Sequence, residues 1–413
     1  FLNVQPTSAI WDCGNFIACN ENHVAVPWNS LGSVVVLRHD AYGKMPTMPA
    51  MLTGHEGAII DLSFSPFDPN ALYTASEDCT IKGWKLPEEG ITTSDTKCMV
   101  TLKGHSKKVG ILSWHPSANN VLASASPDST INIWDVEMEA PQIKIKSRDQ
   151  ILSLNWNLDG SLINTTTKDK RLNVIDSRTG ECVMGTEAHA SSKTCRSVWA
   201  KRRNLIVTLG FNKQQHRQAM VWDTRNMDKA LHTEEIDQQS SVMMPYYDED
   251  TSMLYVAGKG DGSIKLFDLW QETTPIVYLN SHSAPNDPQK GLAMMPKKVL
   301  DVKECEVSRF YKLGNKQISH IKFNVPRKQG AIEFQTDIFP PTFASTPVNG
   351  AKEFFEGKNA APNLLDLAGN FNGEKCTTAA SEHVSHDSPI KAKPAAKVEE
   401  KKAEAPKSAE WDG

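Results

Sequence analysis

The sequence predicts an all-β fold built from repeated four-stranded units, and three observations support this prediction. Residues 54–84 and 104–134, aligned without a gap, agree at 13 of 31 positions, and both begin with Gly-His and end with Trp. Apolar and polar residues alternate within each copy, as in Ile60-Asp61-Leu62-Ser63-Phe64, which is the period of a β-strand. Copies close every 41–50 residues along the chain, which is the spacing of four-stranded propeller blades.

Weaker copies extend the pattern beyond the two strong ones. In the strong copies an aspartate lies six residues before the closing tryptophan. The weaker copies keep this offset and read, in order, Asp169 with Ile175, His216 with Trp222, and Asp261 with Phe267. The histidine in the middle pair replaces the aspartate of the turn. These positions predict three further blades after the strong pair.

Less regular segments complete the ring at its two ends. Residues 11–38 resemble a degenerate first blade, and residues 304–325 carry strand-like runs for a seventh. We therefore predict a seven-bladed WD-repeat β-propeller over residues 1–325. The first strand of such a chain commonly completes the last sheet, because an open strand edge is an aggregation liability. We expect that strand to precede Phe1, which would leave blade seven incomplete in this sequence.

The composition changes after the propeller. Residues 326–374 contain aromatic residues between prolines and glycines: Phe334, Phe339, Phe343, Phe354 and Phe355. This pattern predicts an extended arm packed on the propeller. In residues 375–413, seven lysines balance seven carboxylates and few residues are apolar. Because such a segment cannot offset the entropy of ordering by burying apolar surface, we predict a disordered, charged tail there.

Bulk properties exclude several classes of protein. A formal net charge of −4 argues against a dedicated nucleic-acid binder, which is usually basic. No run of 18 apolar residues predicts a membrane-spanning helix, and no secretory leader is evident. The eight cysteines are scattered singly without a Cys-x-x-Cys pair, so we expect reduced thiols in a cytosolic protein. We expect no metal and no cofactor.

Side chains in the two strong copies resemble a catalytic triad. The sets are His55, Ser76, Asp78 and Trp84, and then His105, Ser126, Asp128 and Trp134. An active site needs one such set beside an oxyanion site, whereas here the set repeats around a ring. WD repeats use these tetrads as hydrogen-bonded networks that fix each blade. We therefore predict structural tetrads, no catalytic residues and no enzyme activity.

Several segments within and around the repeats resemble the coronin family. They include Gly104–Gly110 (GHSKKVG), Pro245–Asp248 (PYYD), Arg309–Leu313 (RFYKL), Val325–Lys328 (VPRK) and Asp337–Thr342 (DIFPPT). The last three are not general features of WD repeats, so they make the resemblance specific. It extends from about Trp11 to Leu367. The resemblance implies an actin-filament binding protein of the cytoplasm and cytoskeleton that regulates filament organisation, bundling or turnover.

Two features depart from the family pattern. Coronins usually carry an arginine, which contacts actin, some six residues before the first-blade tryptophan, and counting back from Trp11 gives Gln5. They also usually end in a short coiled coil, whereas residues 375–413 contain no apolar heptads. We therefore expect this sequence to be a fragment, and the full-length protein to be a homo-oligomer through a coiled coil that is absent here. The resemblance also implies actin-branching and actin-severing factors as further partners.

Basic clusters are the candidate actin contacts. Actin filaments present an acidic surface, so a binder needs exposed Lys and Arg whatever its own net charge. The candidates are Lys107 and Lys108 after the second Gly-His, and Lys201, Arg202 and Arg203 in a turn of the fifth blade. Lys168, Lys170 and Arg171 flank another turn. The alternatives are that these charges only solvate loops, and that the chain is a generic WD-repeat scaffold or adaptor without actin binding.

Overall fold

The computed structural model describes residues 1–269, 274–284, 286–328, 330–374, 376 and 378–379. Within these residues the chain forms seven antiparallel blade sheets, six of four strands and the seventh of three, which confirms the predicted seven-bladed propeller. The innermost strands of blades one to six contact one another in order, and that of blade seven contacts blade one. The predicted disordered tail, residues 375–413, lies outside the described residues except for 376, 378 and 379.

The strands are numbered along the chain, and each blade runs from its innermost strand outward. Blade one has β1 (Ala18–Cys19), β2 (His23–Pro27), β3 (Ser33–Arg38) and β4 (Leu52–Thr53). Blade two has β5 (Ile59–Phe64), β6 (Ala71–Ser76), β7 (Thr80–Lys85) and β8 (Val100–Lys103). Blade three has β9 (Ile111–Trp114), β10 (Val121–Ser126), β11 (Thr130–Asp135) and β12 (Ala140–Lys146). Blade four has β13 (Ile151–Trp156), β14 (Leu162–Thr167), β15 (Arg171–Asp176) and β16 (Cys182–Glu187).

The remaining blades follow the same order. Blade five has β17 (Arg196–Ala200), β18 (Leu205–Phe211), β19 (Arg217–Asp223) and β20 (His232–Asp237). Blade six has β21 (Met243–Asp248), β22 (Met253–Gly258), β23 (Ser263–Asp268) and β24 (Val277–Ser283). Blade seven has β25 (Gly291–Met294), β26 (Glu306–Leu313) and β27 (Ile318–Asn324). Two 3-10 turns, Lys201–Arg203 and Lys297–Val299, follow the innermost strands of blades five and seven.

The core lies between neighbouring blades rather than inside any one of them. All six residues of β6 and of β10 are buried, whereas the outermost strand β12 has exposed residues. Strands buried on both faces in this way belong to sheets that are covered on both sides. Tyr73 of blade two shares an apolar cluster with Leu122 and Trp134 of blade three. Each blade is therefore stabilised mainly by its neighbours.

We call the end of the ring that carries the Gly-His loops the top and the opposite end the bottom. His55 precedes β5, Asp78 lies between β6 and β7, and their side chains meet at the top. Strands within a blade alternate in direction, so each connection to the next blade also lies at the top. The loop between the innermost and second strands of each blade lies at the bottom.

The N-terminal segment, residues 5–17, crosses the top from blade seven to blade one. Before it, Phe1 pairs with Ile318 at the outer edge of β27 through two backbone hydrogen bonds of 2.7 and 2.9 Å. At the far side of the crossing, the Trp11 indole Nε1 donates to the carbonyl of Gly110, just before β9, at 3.0 Å. Phe1 thus occupies the edge position that a fourth strand of blade seven takes.

The arm, residues 326–374, crosses the bottom. It contributes α1 (Ala351–Phe355), α2 (Ala368–Asn372), β28 (Thr342–Phe343) and β29 (Leu364–Leu365), which pairs with β30 (Thr378–Ala379). Phe354 is fully buried, with its ring centroid 4.6 Å from that of His115 and 6.1 Å from that of Trp156. Both α-helices have five residues, and no helix in the described part of the chain is long and apolar enough to cross a membrane.

Candidate functional site

The tetrad of blade two connects the top loop to two strands through a different hydroxyl from the one predicted. His55 Nδ1 lies 2.7 Å from Asp78 Oδ2, and His55 Nε2 lies 2.9 Å from Thr74 Oγ1. Trp84 Nε1 donates to the same Thr74 oxygen at 2.9 Å. Ser76, predicted as the hydroxyl of this set, instead accepts from the backbone N–H of Asp78 at 3.2 Å. The prediction was therefore wrong in this one member.

Blade three repeats the arrangement and the correction. His105 Nε2 and Trp134 Nε1 both lie 2.8 Å from Ser124 Oγ, and His105 Nδ1 lies 3.2 Å from Asp128. Ser126, the predicted member, donates to the carbonyl of Lys107 at 3.2 Å and accepts from the N–H of Asp128. It therefore holds the top loop but does not bond the tryptophan.

Strand geometry explains the correction. Residues two apart on a strand point to the same side, so Thr74 and Ser76 are equivalent in the sequence pattern. Trp84 is directly opposite Leu72, and its indole reaches the diagonal neighbour Thr74. Ser76 lies at the end of β6 and bonds the turn instead. The offset of two residues follows from how far an indole reaches, which the repeat alone does not specify.

The electrostatics of the tetrads suit a structural role. Burial opposes the ionisation of Asp78, but hydrogen bonds from His55 and Thr80 outweigh it and hold the pKa of that carboxyl well below its usual range. Burial likewise lowers the pKa of His105 despite its aspartate partner. A carboxylate that only accepts orients the imidazole through Nδ1–H, leaving Nε2 to the strand hydroxyl. The side chains hold one another in place.

Blades five and six replace the tetrad with other polar contacts. In blade five, His189 Nε2 and Trp222 Nε1 both lie 3.0 Å from Thr208 Oγ1, as in the strong copies. His216, at the predicted turn position, lies 3.0 Å from Glu235 instead. In place of a turn aspartate, the amide of Gln218 lies 3.0 Å from His189 Nδ1. The histidine, hydroxyl and tryptophan persist while the acidic residue changes.

The aspartate of blade six serves an ion cluster between blades. Arg217 of β19 is 2% exposed, and its guanidinium donates to Asp261 at 2.6 Å and to both oxygens of Asp237 at 2.5 and 2.6 Å. Ser241 donates to the other oxygen of Asp261 at 2.7 Å. Burial opposes the charge of Arg217, but the two carboxylates outweigh it and raise its pKa. This pair of blades is thus joined by charge.

Buried polar groups hold the N-terminal segment on the top. Lys259, in the turn between β22 and β23, donates from Nζ to the carbonyl of Gly14 at 2.8 Å and to that of Trp11. Its ammonium also lies 4.5 Å from the ring centroid of Phe16. Burial lowers the pKa of Lys259 to about 7. The sequence marks Gly258–Asp261 as a blade turn that resembles the coronin family, but it does not predict the role of this lysine, whose partners are backbone carbonyls.

Asp61 extends the same network between blades. Its carboxylate accepts from the backbone N–H of Asn15 at 3.4 Å and of Leu112 at 2.8 Å. Burial raises the pKa of Asp61 to about 6. The guanidinium of Arg196 in blade five donates to the side-chain oxygen of Asn15 at 3.1 Å. The N-terminal segment is therefore bonded to blades two, five and six at once.

The first predicted basic cluster lies on the top. Lys107 is exposed, and Lys108 is partly exposed. The ammonium of Lys108 lies 4.3 Å from the Trp11 ring centroid and 3.5 Å from the carboxylate of Glu77. One lysine of the pair therefore faces solvent, and the other packs on the N-terminal segment. Gln5 also belongs to this segment, and its carbonyl accepts from the N–H of Asn29 at 2.8 Å.

Other basic residues share the top with Lys107. Exposed Lys and Arg side chains occupy top loops and turns of blades three to five: Arg148, Lys168, Lys193 and Lys213. Lys170 and Arg171, also singled out from the sequence, are partly exposed in the blade-four turn. Acidic residues such as Glu56 and Asp169 are interspersed on the same end. The top of blades three to five thus presents a broken basic arc.

The second predicted basic cluster lies at the bottom, beneath the arm. The backbone N–H groups of Lys201 and Arg202 donate to the carboxylate of Glu249 at 2.9 and 3.2 Å. The Arg202 guanidinium donates to Asp250 at 3.1 Å and to the carbonyl of Pro341 in the arm at 3.0 Å. Burial lowers the pKa of Lys201 and raises that of Asp250 to about 6.

Arg203 completes this bottom cluster. Its guanidinium donates to Ser252 at 3.1 Å and to the carbonyl of Leu269 at 2.6 Å, both in blade six. The two predicted clusters therefore lie on opposite ends of the propeller. A single flat partner therefore cannot contact both, and at the bottom the guanidinium groups of Arg202 and Arg203 already bond blade six and the arm.

Comparisons with known proteins match both the repeats and the segments around them. Residues 47–85 and 96–135 match the WD domain, G-beta repeat model. Residues 318–362 match a type of WD40 repeat, and residues 1–44 match a domain of unknown function (DUF1899). Coronin-A of Dictyostelium discoideum is 42% identical over 374 residues, which cover 90% of this chain and 82% of that protein.

Solved structures agree with this similarity. The WD40 domain of Toxoplasma gondii coronin superposes with a TM-score of 0.83 at 34% identity, covering 88% of this chain and 94% of that one. A chain of the mitotic checkpoint complex superposes with a TM-score of 0.61 at 14% identity, covering 79% of this chain and 93% of that one. The second likeness concerns the fold alone.

Proposed function

This chain belongs to the coronin family, and we propose that it binds the sides of actin filaments through the top of its propeller. The observation that carries the proposal is the contrast between the two basic clusters. Lys107 is exposed at the top, whereas Arg202 at the bottom bonds the arm. A filament needs an accessible basic surface, and the top retains one.

Electrostatics support a local rather than a global attraction. The chain carries a formal net charge of −4, so it does not attract an acidic filament as a whole. The basic arc from Lys107 to Lys213 concentrates positive charge on one end of the ring. Because exposed charges beyond about 10 Å are screened at 0.1 M salt, binding through this arc should weaken as salt increases.

Filament organisation needs more than one propeller. A single propeller that binds one filament cannot bundle two. Linking two propellers makes the second binding event intramolecular and raises avidity by roughly 10²–10⁴-fold. We propose that the full-length protein is a homo-oligomer that bundles filaments or regulates their turnover at the cytoplasmic cytoskeleton, with actin-branching and actin-severing factors as further partners.

Cosedimentation with actin filaments over a salt series tests the proposal. We expect the chain to pellet with filaments at low salt and to be released as salt rises. The double reversal Lys107→Glu and Lys108→Glu should weaken binding about tenfold. The matched control reverses two exposed lysines of the arm at the bottom, Lys352→Glu and Lys358→Glu, and should bind as the natural chain does.

Each outcome separates the proposal from its alternative. Absence of pelleting even at low salt would favour a generic WD-repeat adaptor without actin binding. Loss of binding only in the control pair would place the interface at the bottom and would favour Lys201, Arg202 and Arg203 as actin contacts. Until that test, their role in actin binding stays a prediction. We propose no catalytic step, because the histidine of each tetrad bonds a strand hydroxyl of its own blade.

A further inference from the structure

A cavity of about 750 Å³ opens at the top beside the N-terminal segment. Its walls come from that segment and from the top loops of blades five, six and seven. The apolar part of the lining includes Ala9, Ile10, Phe16, Val242 and Leu313. Ile10 is 87% exposed, although isoleucine is among the residue types most often buried. The lining therefore offers a place for an apolar side chain.

Charge in this cavity is mostly positive. Lys193 and Lys290 line it together with Lys259, which is only partly protonated at neutral pH because burial lowers its pKa to about 7, and Asp12 is the one acidic residue in the described lining. The carboxylate of Asp12 already accepts from the Thr194 hydroxyl at 3.2 Å. The ammonium of Lys259 bonds two carbonyls and no carboxylate. A ligand with carboxylates beside an apolar group therefore complements both parts of the lining.

One atom of a lining residue also lacks a partner. Gln289 lines the cavity, is fully buried, and donates from Nε2 to the carbonyls of Gly258 and Ser263 at 2.9 Å each. Its Oε1 has no hydrogen-bond partner within the residues that the structure describes. This oxygen is itself buried, so it is not a contact point for a ligand in the cavity. The preference for a peptide over a simple anion rests on the apolar lining beside the lysines.

We propose that the cavity binds the segment Glu410-Trp411-Asp412 of this same chain, with the indole against the apolar lining and the carboxylates towards the lysines. Trp411 is the only aromatic residue of 375–413, and a carboxylate flanks it on each side. Residues 380–409 separate the segment from β30. Fully extended, they span about 100 Å at ~3.3 Å per residue. The arm lies at the bottom and the cavity at the top, and the blade strands between these ends are roughly 20 Å long for six residues. The segment is therefore long enough to reach the cavity.

A labelled peptide tests the recognition directly, without reference to actin. The probe is a fluorescein-labelled peptide of residues 404–413, titrated with the full chain carrying Trp411→Ala so that its own segment does not compete. We expect saturable binding that weakens at least tenfold when Lys290→Glu is added. Lys213→Glu, which reverses an exposed top lysine outside the lining, should change affinity less than twofold.

Peptide variants give a second reading that is independent of protein folding. A peptide with Glu410→Gln and Asp412→Asn, and another with Trp411→Ala, should each bind at least tenfold more weakly to the same protein. Absent binding would overturn the proposal. So would equal losses from Lys290→Glu and Lys213→Glu, because attraction would then be general to the basic top.

Carbodiimide crosslinking of the natural full chain tests whether the segment is bound within one molecule. We expect amide bonds that join Glu410 or Asp412 to Lys193 or Lys290. Mixing isotopically labelled and unlabelled chains distinguishes bonds within a chain from bonds between chains. Crosslinks found only between differently labelled chains would contradict the proposal and assign the cavity to a second copy.

Discussion

Segments outside the blades cover both ends of this propeller, but they use different interactions. At the top, buried polar groups add to the apolar burial of Phe16 and Ile17 in holding the N-terminal segment: Lys259 bonds two of its carbonyls and Asp61 one of its N–H groups. At the bottom, the arm is held mainly by buried aromatic side chains, with Phe354 between His115 and Trp156. The N-terminal segment leaves the neighbouring basic loops of the top exposed, whereas the arm packs over the basic turn of blade five at the bottom.

This difference bears on where a partner can bind. Basic residues at the bottom bond the arm, as Arg202 does through the carbonyl of Pro341. At the top, solvent-facing basic residues lie beside the N-terminal segment, which contacts only a few lysines, among them Lys108 and Lys259. The predicted basic cluster at the bottom is thus bonded within the protein, whereas Lys107 at the top remains exposed to a partner.

The largest expected effect comes from removing the aromatic contact of the bottom. Phe354→Ala should lower the free energy of unfolding by about 3–5 kcal/mol, because a fully buried phenyl ring leaves a cavity. Urea unfolding measures the change. The matched control is Phe355→Ala, since that neighbour is only partly buried and should cost clearly less. Equal costs would mean that Phe354 is not the main apolar contact of the arm.

The sequence predicts the blades and the packed arm at the bottom, but not the path of the N-terminal segment across the top. Strand alternation and the Gly-His to Trp spacing are local features, so they identify blades two and three directly. Aromatic residues in a Pro- and Gly-rich segment indicate a packed arm, and Phe339 and Phe354 are indeed buried. The path of residues 5–17 depends on contacts between distant parts of the chain. Lys259 and Gly14 are 245 positions apart, which no local pattern reveals.

The choice of tetrad hydroxyl gives the second-largest effect and concerns the top loops. Thr74→Val keeps the shape of the side chain but removes the oxygen that His55 and Trp84 share. Two buried nitrogens then lose a partner, so we expect a loss of about 2–3 kcal/mol in urea unfolding. Ser76→Ala should cost about 1 kcal/mol or less, because Ser76 only bonds the turn. The reverse order would reinstate the original prediction.

The contribution of Lys259 to the stability of the protein should depend on pH. Lys259→Met removes the donor to Trp11 and Gly14, but it also removes an amine whose charged form the site disfavours, so near pH 7 the two effects on stability oppose each other. The lysine pKa is about 7 in the folded chain and near 10.5 when unfolded, so between these values the unfolded chain binds more protons. Stability of the natural chain therefore rises with pH in that window, and the variant lacks this rise.

Unfolding at pH 7, 8 and 9 measures this effect. The free energy of unfolding of the natural chain minus that of the Lys259→Met variant should increase with each step. Lys213→Met changes an exposed lysine and should show a constant, near-zero difference. A difference that decreases with pH would mean that the ammonium is stabilised rather than penalised by its site, and that the top is held by charge and not by hydrogen bonds.

The smallest expected effect separates the two lysines of the top loop. Lys108→Ala should lower stability by about 0.5–1 kcal/mol, because the ammonium lies over the ring of Trp11 at a partly exposed site. Lys107→Ala should be near neutral, since only the carbonyl of Lys107 is bonded, by Ser126. Equal stability losses would mean that general attraction, not the Trp11 contact, holds the segment. In cosedimentation, by contrast, both substitutions should weaken actin binding, because a filament responds to exposed charge whether or not that charge also packs on the protein.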